Sequence, residues 1–154
     1  MELKRVVVTG LGAITPLGKT LTETWEGLVN GKSGAGPITH FDASKFKTQF
    51  ACEVKNFDPN QYFDRKEARK LDRYAQFALI AADEAIADSG MEMEKLDLNK
   101  VGVIFSSGIG GITTFQEEVE NYDAERGPRF NPSPPPKLIA DIASGHISMK
   151  YGFR

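Results

Sequence analysis

The chain is poor in the residues that small proteins use as staples or ligands. Cys52 is its only cysteine, and His40 and His146 are its only histidines, in 154 residues. One thiol excludes an internal disulfide, and one cysteine with two widely separated histidines argues against a zinc site. No apolar run approaches the ~20 residues of a membrane-spanning helix, and Met1 to Gly12 holds no long apolar stretch ending in small residues. The sequence therefore reads as soluble, unexported and cytoplasmic. Neither sign of charge dominates, since 19 basic residues face 21 acidic ones for a net charge of −2. A broad nucleic-acid surface needs an excess of Lys and Arg to neutralise phosphates, so any basic patch here is local.

What is present suffices for a core. The sequence is 40% hydrophobic, and a chain of this length buries roughly 70% of its unfolded surface without help from a disulfide or metal. Val6-Val7-Val8, bounded by Lys4-Arg5 and by Gly10 and Gly12, reads as a short parallel-type strand buried on both faces. From Thr20 to Asn30, Leu21, Trp25, Leu28 and Val29 recur at helical spacing before Gly31, a residue suited to a left-handed C-cap. Ser33 to Pro37 is turn-rich, and Phe50 to Val54 alternates weakly, as a short strand does.

Asp64 to Ser89 is the clearest helical region, with a break near Leu71-Asp72. Beyond the break its residues are apolar nearly all round, so that helix is expected to be buried, its alanines permitting close packing. Gly90 ends it, and Val101 to Phe105 reads as a second interior strand running into Ser106-Ser107-Gly108-Ile109-Gly110-Gly111. Thr114 to Tyr122 looks helical and acidic, Pro132 to Pro136 rigid and extended, and Leu138 to Tyr151 a final helix. Alternating strands and helices imply an α/β arrangement with a mixed, mostly parallel sheet layered with helices. The strands are few for so much helix.

Two glycine-rich turns invite a nucleotide. After the first strand, Thr15 replaces the third glycine of a dinucleotide fingerprint and Pro16 and Gly18 interrupt before any helix. The loop from Ser106 to Gly111 lacks the Gly-Lys-Ser/Thr of a P-loop. The first reads better as a tight structural turn. The second reads equally as a turn that brings backbone close to backbone or as a ligand loop, since open sheets of this class place ligands beyond the carboxyl ends of their strands.

Arg65, Lys66, Arg69, Lys70 and Arg73 recur every three or four residues and so share a helix face, despite Asp64, Glu67 and Asp72. Such a face is either solvated and salt-bridged or a landing site for an acidic protein. His146 and His40 read as structural histidines, and Cys52 as a small strand residue. No Ser/His/Asp or Cys/His arrangement can be assembled.

Arg5-Val6-Val7-Val8-Thr9-Gly10-Leu11-Gly12, Trp25 with Gly31-Lys32-Ser33-Gly34, His40-Phe41-Asp42, Arg65 to Arg73, Ser107 to Gly111 and Gly145-His146-Ile147-Ser148 together resemble the bacterial 3-oxoacyl-[acyl-carrier-protein] synthases. The elongating type II enzymes are the nearest match, in order and spacing, from Val6 to Arg154. The resemblance implies the thiolase-like fold, with residues 1–154 forming the first part of an incomplete N-terminal half and the rest of that half and the C-terminal half not included. It implies a homodimer, and no cofactor or metal.

The implied reaction is a decarboxylative Claisen condensation between acyl- and malonyl-[acyl-carrier-protein]. A cysteine thiolate, an oxyanion hole and two histidines perform it in the family. None of the three side chains falls within this sequence, Cys52 matching an ordinary strand position, so the segment alone is expected to be inactive. Gly108 and Ile109 match the loop whose apolar side chain resembles a gate to the acyl pocket. Lys66, Arg69 and Lys70 match basic positions that meet the acidic acyl carrier protein. Pro134 and Pro135 fall where relatives carry bulkier apolar residues reaching the partner subunit's acyl pocket. A non-catalytic relative that pairs with an active subunit and sets chain length is the alternative.

Overall fold

The computed structural model describes residues 3–121 and 137–154. The chain divides into two units, one comprising the residues up to Phe57 with Ile80–Met91, the other Asp58–Leu79 with Glu92–Arg154. Numbered in chain order, the helices are α1 (Leu21–Val29), α2 (Arg65–Lys70), α3 (Arg73–Asp88), α4 (Ile112–Glu120) and α5 (Ile142–Tyr151). The first turns of α3 belong to the second unit and its last turns to the first.

In the first unit the N-terminal segment lies directly on α3. A Cβ on Gly12 would sit 2.0 Å from the Ala81 carbonyl oxygen, and one on Gly10 2.1 Å from that of Ala85. Glycine on the segment and alanine on the helix thus bring backbone against backbone, as the alanine-rich sequence predicts. Acidic side chains of α3 then accept the amides of this segment. Leu11 N–H donates to Asp88 Oδ2 at 2.9 Å, Ala13 N–H to Glu84 Oε2 at 2.8 Å, and Leu21 N–H to Glu84 Oε1 at 2.8 Å. Bonds to a charged acceptor are about twice as strong as neutral ones. The same contacts leave the Leu11 and Ala13 amides bonded to carboxylates, which disfavours a pyrophosphate here.

Helix α1 begins where Thr20 accepts the Glu23 amide at 3.2 Å, and Gly31 follows it at φ 63°. Its packed side is not the apolar stripe but Thr24 and Gly27, both buried. Gly27 lies so close to Leu17 that an added Cβ would be 3.0 Å from the Leu17 Cβ, and this close approach turns Trp25, Leu28 and Val29 outward.

Strand β1 (Gly36–Pro37) pairs antiparallel with β2 (Phe50–Ala51), Gly36 opposite Ala51. The turn-rich stretch therefore supplies one strand, and the expected strand over Phe50 to Val54 shrinks to two residues. Cys52 lies just past β2 and is exposed, so its expected place as a small strand residue is corrected. Glu53 accepts the hydroxyl of Thr39 at 2.6 Å and its amide at 3.0 Å, bonds that hold its carboxyl below the ordinary value. His40, without a visible partner in the sequence, stands 3.9 Å from that carboxylate.

This pair is the sole sheet among the described residues. The expected strands at Val6–Val8 and Val101–Phe105 join no ladder there. Val6, Val8 and Ile104 are 89, 78 and 100% exposed. A strand apolar on both faces exists as such only between flanking neighbours, and no described residue supplies them.

The second unit contains most of the described core, including Phe63, Leu71, Ala78, Leu79, Ile147 and Phe153. Asp64 caps α2 by accepting the amides of Lys66 and Glu67 at 2.7 and 2.8 Å. The break at Leu71-Asp72 falls where the sequence places it. Helix α5 starts at Ile142 rather than near Leu138, because the Leu138 and Ala140 carbonyls accept amides of the glycine loop instead. It ends at Gly152, φ 74°, after which Arg154 N–H donates to Leu98 O at 3.2 Å. Helix α4 starts at Ile112, two residues before the expected Thr114. Tyr122 and the proline run from Pro132 to Pro136, including Pro134 and Pro135, lie outside the described residues.

A methyl group on Gly12 has nowhere to go. Gly12→Ala is expected to cost about 2 kcal/mol through overpacking. Gly102→Ala, where an added Cβ meets nothing within 4 Å, should stay within about 0.5 kcal/mol of the parent. Urea midpoints of the two variants decide it, and equal losses would refute the packing described.

Candidate functional site

The loop from Ser107 to Gly111 is fixed by its backbone. Ser107 N–H donates to Ala140 O at 3.2 Å and Gly111 N–H to Leu138 O at 3.4 Å, while the Ser107 hydroxyl accepts Gly110 N–H at 3.1 Å. Gly110 has φ 82°, a region side chains rarely adopt, and a Cβ there would lie 2.2 Å from Leu138 O. One on Gly111 would lie 2.3 Å from Lys137 O. These glycines are present because two stretches of main chain touch, one of the two readings open from the sequence.

Asp72 ties the loop to the helices. The residue is only 9% exposed and sits at the α2–α3 break. Oδ1 accepts Tyr74 N–H in the first turn of α3 at 3.2 Å, and Oδ2 accepts the Thr114 hydroxyl of α4 at 2.5 Å. The same Oδ2 would be 2.9 Å from a Cβ on Gly111. Tyr74 donates its own hydroxyl to Ile139 O, and burial, then the charges of Asp72 and Asp141, push its phenol above the ordinary value. Asp72, Tyr74 and Thr114 escape the sequence reading. An aspartate at a helix break is a capping signal, but nothing in the sequence links it to a threonine 42 positions on.

Held in this way, Ile109 projects from the loop, 71% exposed, and lines an apolar cavity of about 170 Å³ with Gly111, Ile112, Phe115 and Leu138. Gly108, beside it, has open space where a side chain would be. The structure thus places the sequence-predicted Ile109 at a small apolar recess.

The predicted cations lie elsewhere in the second unit. Lys66, Arg69 and Lys70 are exposed on α2, and among the described residues none forms an ion pair. Arg73 does not extend this face as its spacing predicts, because the helix has broken before it and its guanidinium lies over the Phe77 ring at 5.4 Å. His146, on α5, is half-buried, and burial pushes its imidazole below its ordinary value. No group of three or more His, Cys, Asp or Glu able to hold a metal ion exists among the described residues. Nor is any described helix long and apolar enough to cross a membrane.

The family model described as Beta-ketoacyl synthase, N-terminal domain, matches residues 3–154, and the chain belongs to that family. Its fold is accordingly the thiolase-like α/β fold, represented by part of the N-terminal half.

More particularly, it is similar to the 3-oxoacyl-[acyl-carrier-protein] synthase 2 of Synechocystis, at 44% identity over 99% of this chain. The match spans only 36% of that protein's length. Among solved structures, the ishigamide ketosynthase/chain length factor superposes with TM-score 0.82 and 28% identity, over 96% of this chain and 37% of the other. A type II polyketide ketosynthase in complex with its acyl-carrier protein has the same fold, at TM-score 0.77 and 24% identity over 96% of this chain and 39% of the other.

Removing one hydroxyl tests how the loop is held. Thr114→Val keeps the shape and deletes the bond to the Asp72 carboxylate, which is expected to cost about 1.5–3 kcal/mol. A urea midpoint unchanged from the parent would mean that Asp72 does not depend on this donor.

Proposed function

We propose that this chain is the opening part of an elongating 3-oxoacyl-[acyl-carrier-protein] synthase, a cytoplasmic homodimer acting in fatty acid synthesis. The observation that carries this is the family match across residues 3–154, with Ile109 lining an apolar recess at the matching loop position. In the proposed reaction a cysteine thiolate attacks the acyl thioester and the carrier thiol leaves. The malonyl group on a second carrier then loses carbon dioxide, and its carbanion forms the new carbon–carbon bond as the thiolate departs. The nucleophile and the two histidines are assigned to sequence following this segment. Cys52, exposed beside β2, takes no part, and the segment alone makes no product.

This chain's own share is substrate admission. Ile109 gates the acyl chain, because a β-branched side chain has few rotamers and each either fills or frees the recess. Lys66, Arg69 and Lys70, exposed together on α2, steer an acidic carrier protein by charge. Pro134 and Pro135 stand where relatives carry bulkier apolar residues, a departure that bears on the acyl pocket of the partner subunit. A second reading, favoured by the likeness to a ketosynthase/chain length factor, is a non-catalytic subunit that pairs with an active one. The residue at the nucleophile position of the complete protein separates the two.

Two measurements on the complete enzyme test the assignment. Ile109→Phe is expected to shift acceptance toward shorter acyl chains, and an unchanged chain-length profile would remove the gate. Arg69→Glu with Lys70→Glu should raise the apparent KM for acyl-carrier protein roughly tenfold at low salt, less at high salt, and leave small thioester analogues nearly unaffected. Equal loss with both substrates would assign these residues to folding instead.

A further inference from the structure

The recess at Ile109 is walled by three separate stretches of chain: the glycine loop with Ile109 and Gly111, the first turn of α4 with Ile112 and Phe115, and the approach to α5 with Leu138. Apolar contact alone gives such walls no fixed spacing, because it has no preferred direction. Hydrogen bonds do have one. Those that hold these walls come from the start of α3, where Asp72 and Tyr74 stand two residues apart.

Each of the two reaches a different wall. Asp72 Oδ2 accepts the Thr114 hydroxyl at 2.5 Å, and Thr114 lies between Ile112 and Phe115 in α4. Tyr74 donates its hydroxyl to Ile139 O, next to Leu138. Leu138 O accepts Gly111 N–H at 3.4 Å, which joins that wall to the loop. Burial, then the charges of Asp72 and Asp141, push the Tyr74 phenol up, so it stays protonated and able to donate. The recess itself is small. At about 170 Å³ it compares with a cavity of ~150 Å³ that takes one benzene ring, and so it admits only the last few carbons of an alkyl chain. At that size a slight shift of one wall changes how many carbons fit.

We propose that Asp72, Tyr74 and Thr114 are positioning residues for chain-length selection, setting the spacing of the walls that receive the end of the acyl chain. The inference rests on the reading of Ile109 given above, and it assigns part of the specificity to polar side chains which that reading leaves out. Ile109 decides whether the recess is open. The two hydroxyls decide how large it is when open.

The test compares the complete enzyme with its variants on acyl-carrier substrates from butyryl to hexadecanoyl. Tyr74→Phe deletes one hydroxyl and keeps the ring, and Thr114→Val deletes the other and keeps the shape. Each should flatten the chain-length profile. For the longest chain the parent accepts, kcat/KM relative to butyryl should fall about fivefold, through a raised KM, as when one or two methylenes lose their burial. Thr114→Ser retains the hydroxyl and should retain the parental profile. A role confined to stability lowers activity toward every chain length by one factor, and that outcome overturns the proposal. Should Thr114→Val fail to fold, Tyr74→Phe decides.

Ile109→Phe, assayed alongside, separates this role from the gate. If it shifts the profile while Tyr74→Phe and Thr114→Val keep the parental one, the positioning role is refuted and the gate stands. If Ile109→Phe leaves the profile unchanged, the recess does not receive the acyl chain, and both readings fall.

Discussion

The carboxylate of Asp72 is the constraint on which the second unit turns. It is a charge almost withdrawn from water, and such a group is tolerated only when hydrogen-bond donors surround it. The first turn of α3 supplies one donor and Thr114 of α4 another. Gly111 leaves the space in which they meet, since any side chain there would collide with the carboxylate and with Lys137 O. The bend between α2 and α3, the start of α4 and the path of the loop are therefore one arrangement. Ile109 is presented from that arrangement, and its position at the recess follows from polar atoms it never touches.

The first unit uses the same device in a more open setting. Glu84 and Asp88 on α3 take the amides of Leu11, Ala13 and Leu21, so a segment with no ladder of its own still has hydrogen-bond partners. Backbone groups must find acceptors wherever they leave water, and acidic residues on a neighbouring helix meet that requirement without a strand. The glycines that invite a nucleotide reading are there because only glycine lets main chain rest on alanine.

Local features were legible in the sequence because they depend on residues close together in the chain. The left-handed Gly31 and the break before Arg73 follow from short-range rules about donors, acceptors and φ. The alanine face of α3 foretold close packing. What could not be read depends on partners far apart: Asp72 with Thr114, Ala13 with Glu84, and Ser107 with Ala140. Burial was misjudged where hydrophobicity stood in for contact. Trp25, Leu28 and Val29 have helical spacing yet face outward, because α1 packs through Thr24 and Gly27. The cations of α2 were visible as a pattern, but only the break in the helix separates Arg73 from the others. The family resemblance lay in motifs spread along the whole chain, which is why it stood out when no single motif did.

Val6, Val7 and Val8, with Ile104, combine strong β-propensity with exposure and the absence of a ladder among the described residues. An apolar segment of high β-propensity that joins no ladder among the described residues is a template for pairing with any similar segment it encounters. Expressed as a separate polypeptide, this stretch of sequence would be governed in the test tube by self-association. Acidic flanking residues or a fused solubilising partner would then decide how much of it survives purification.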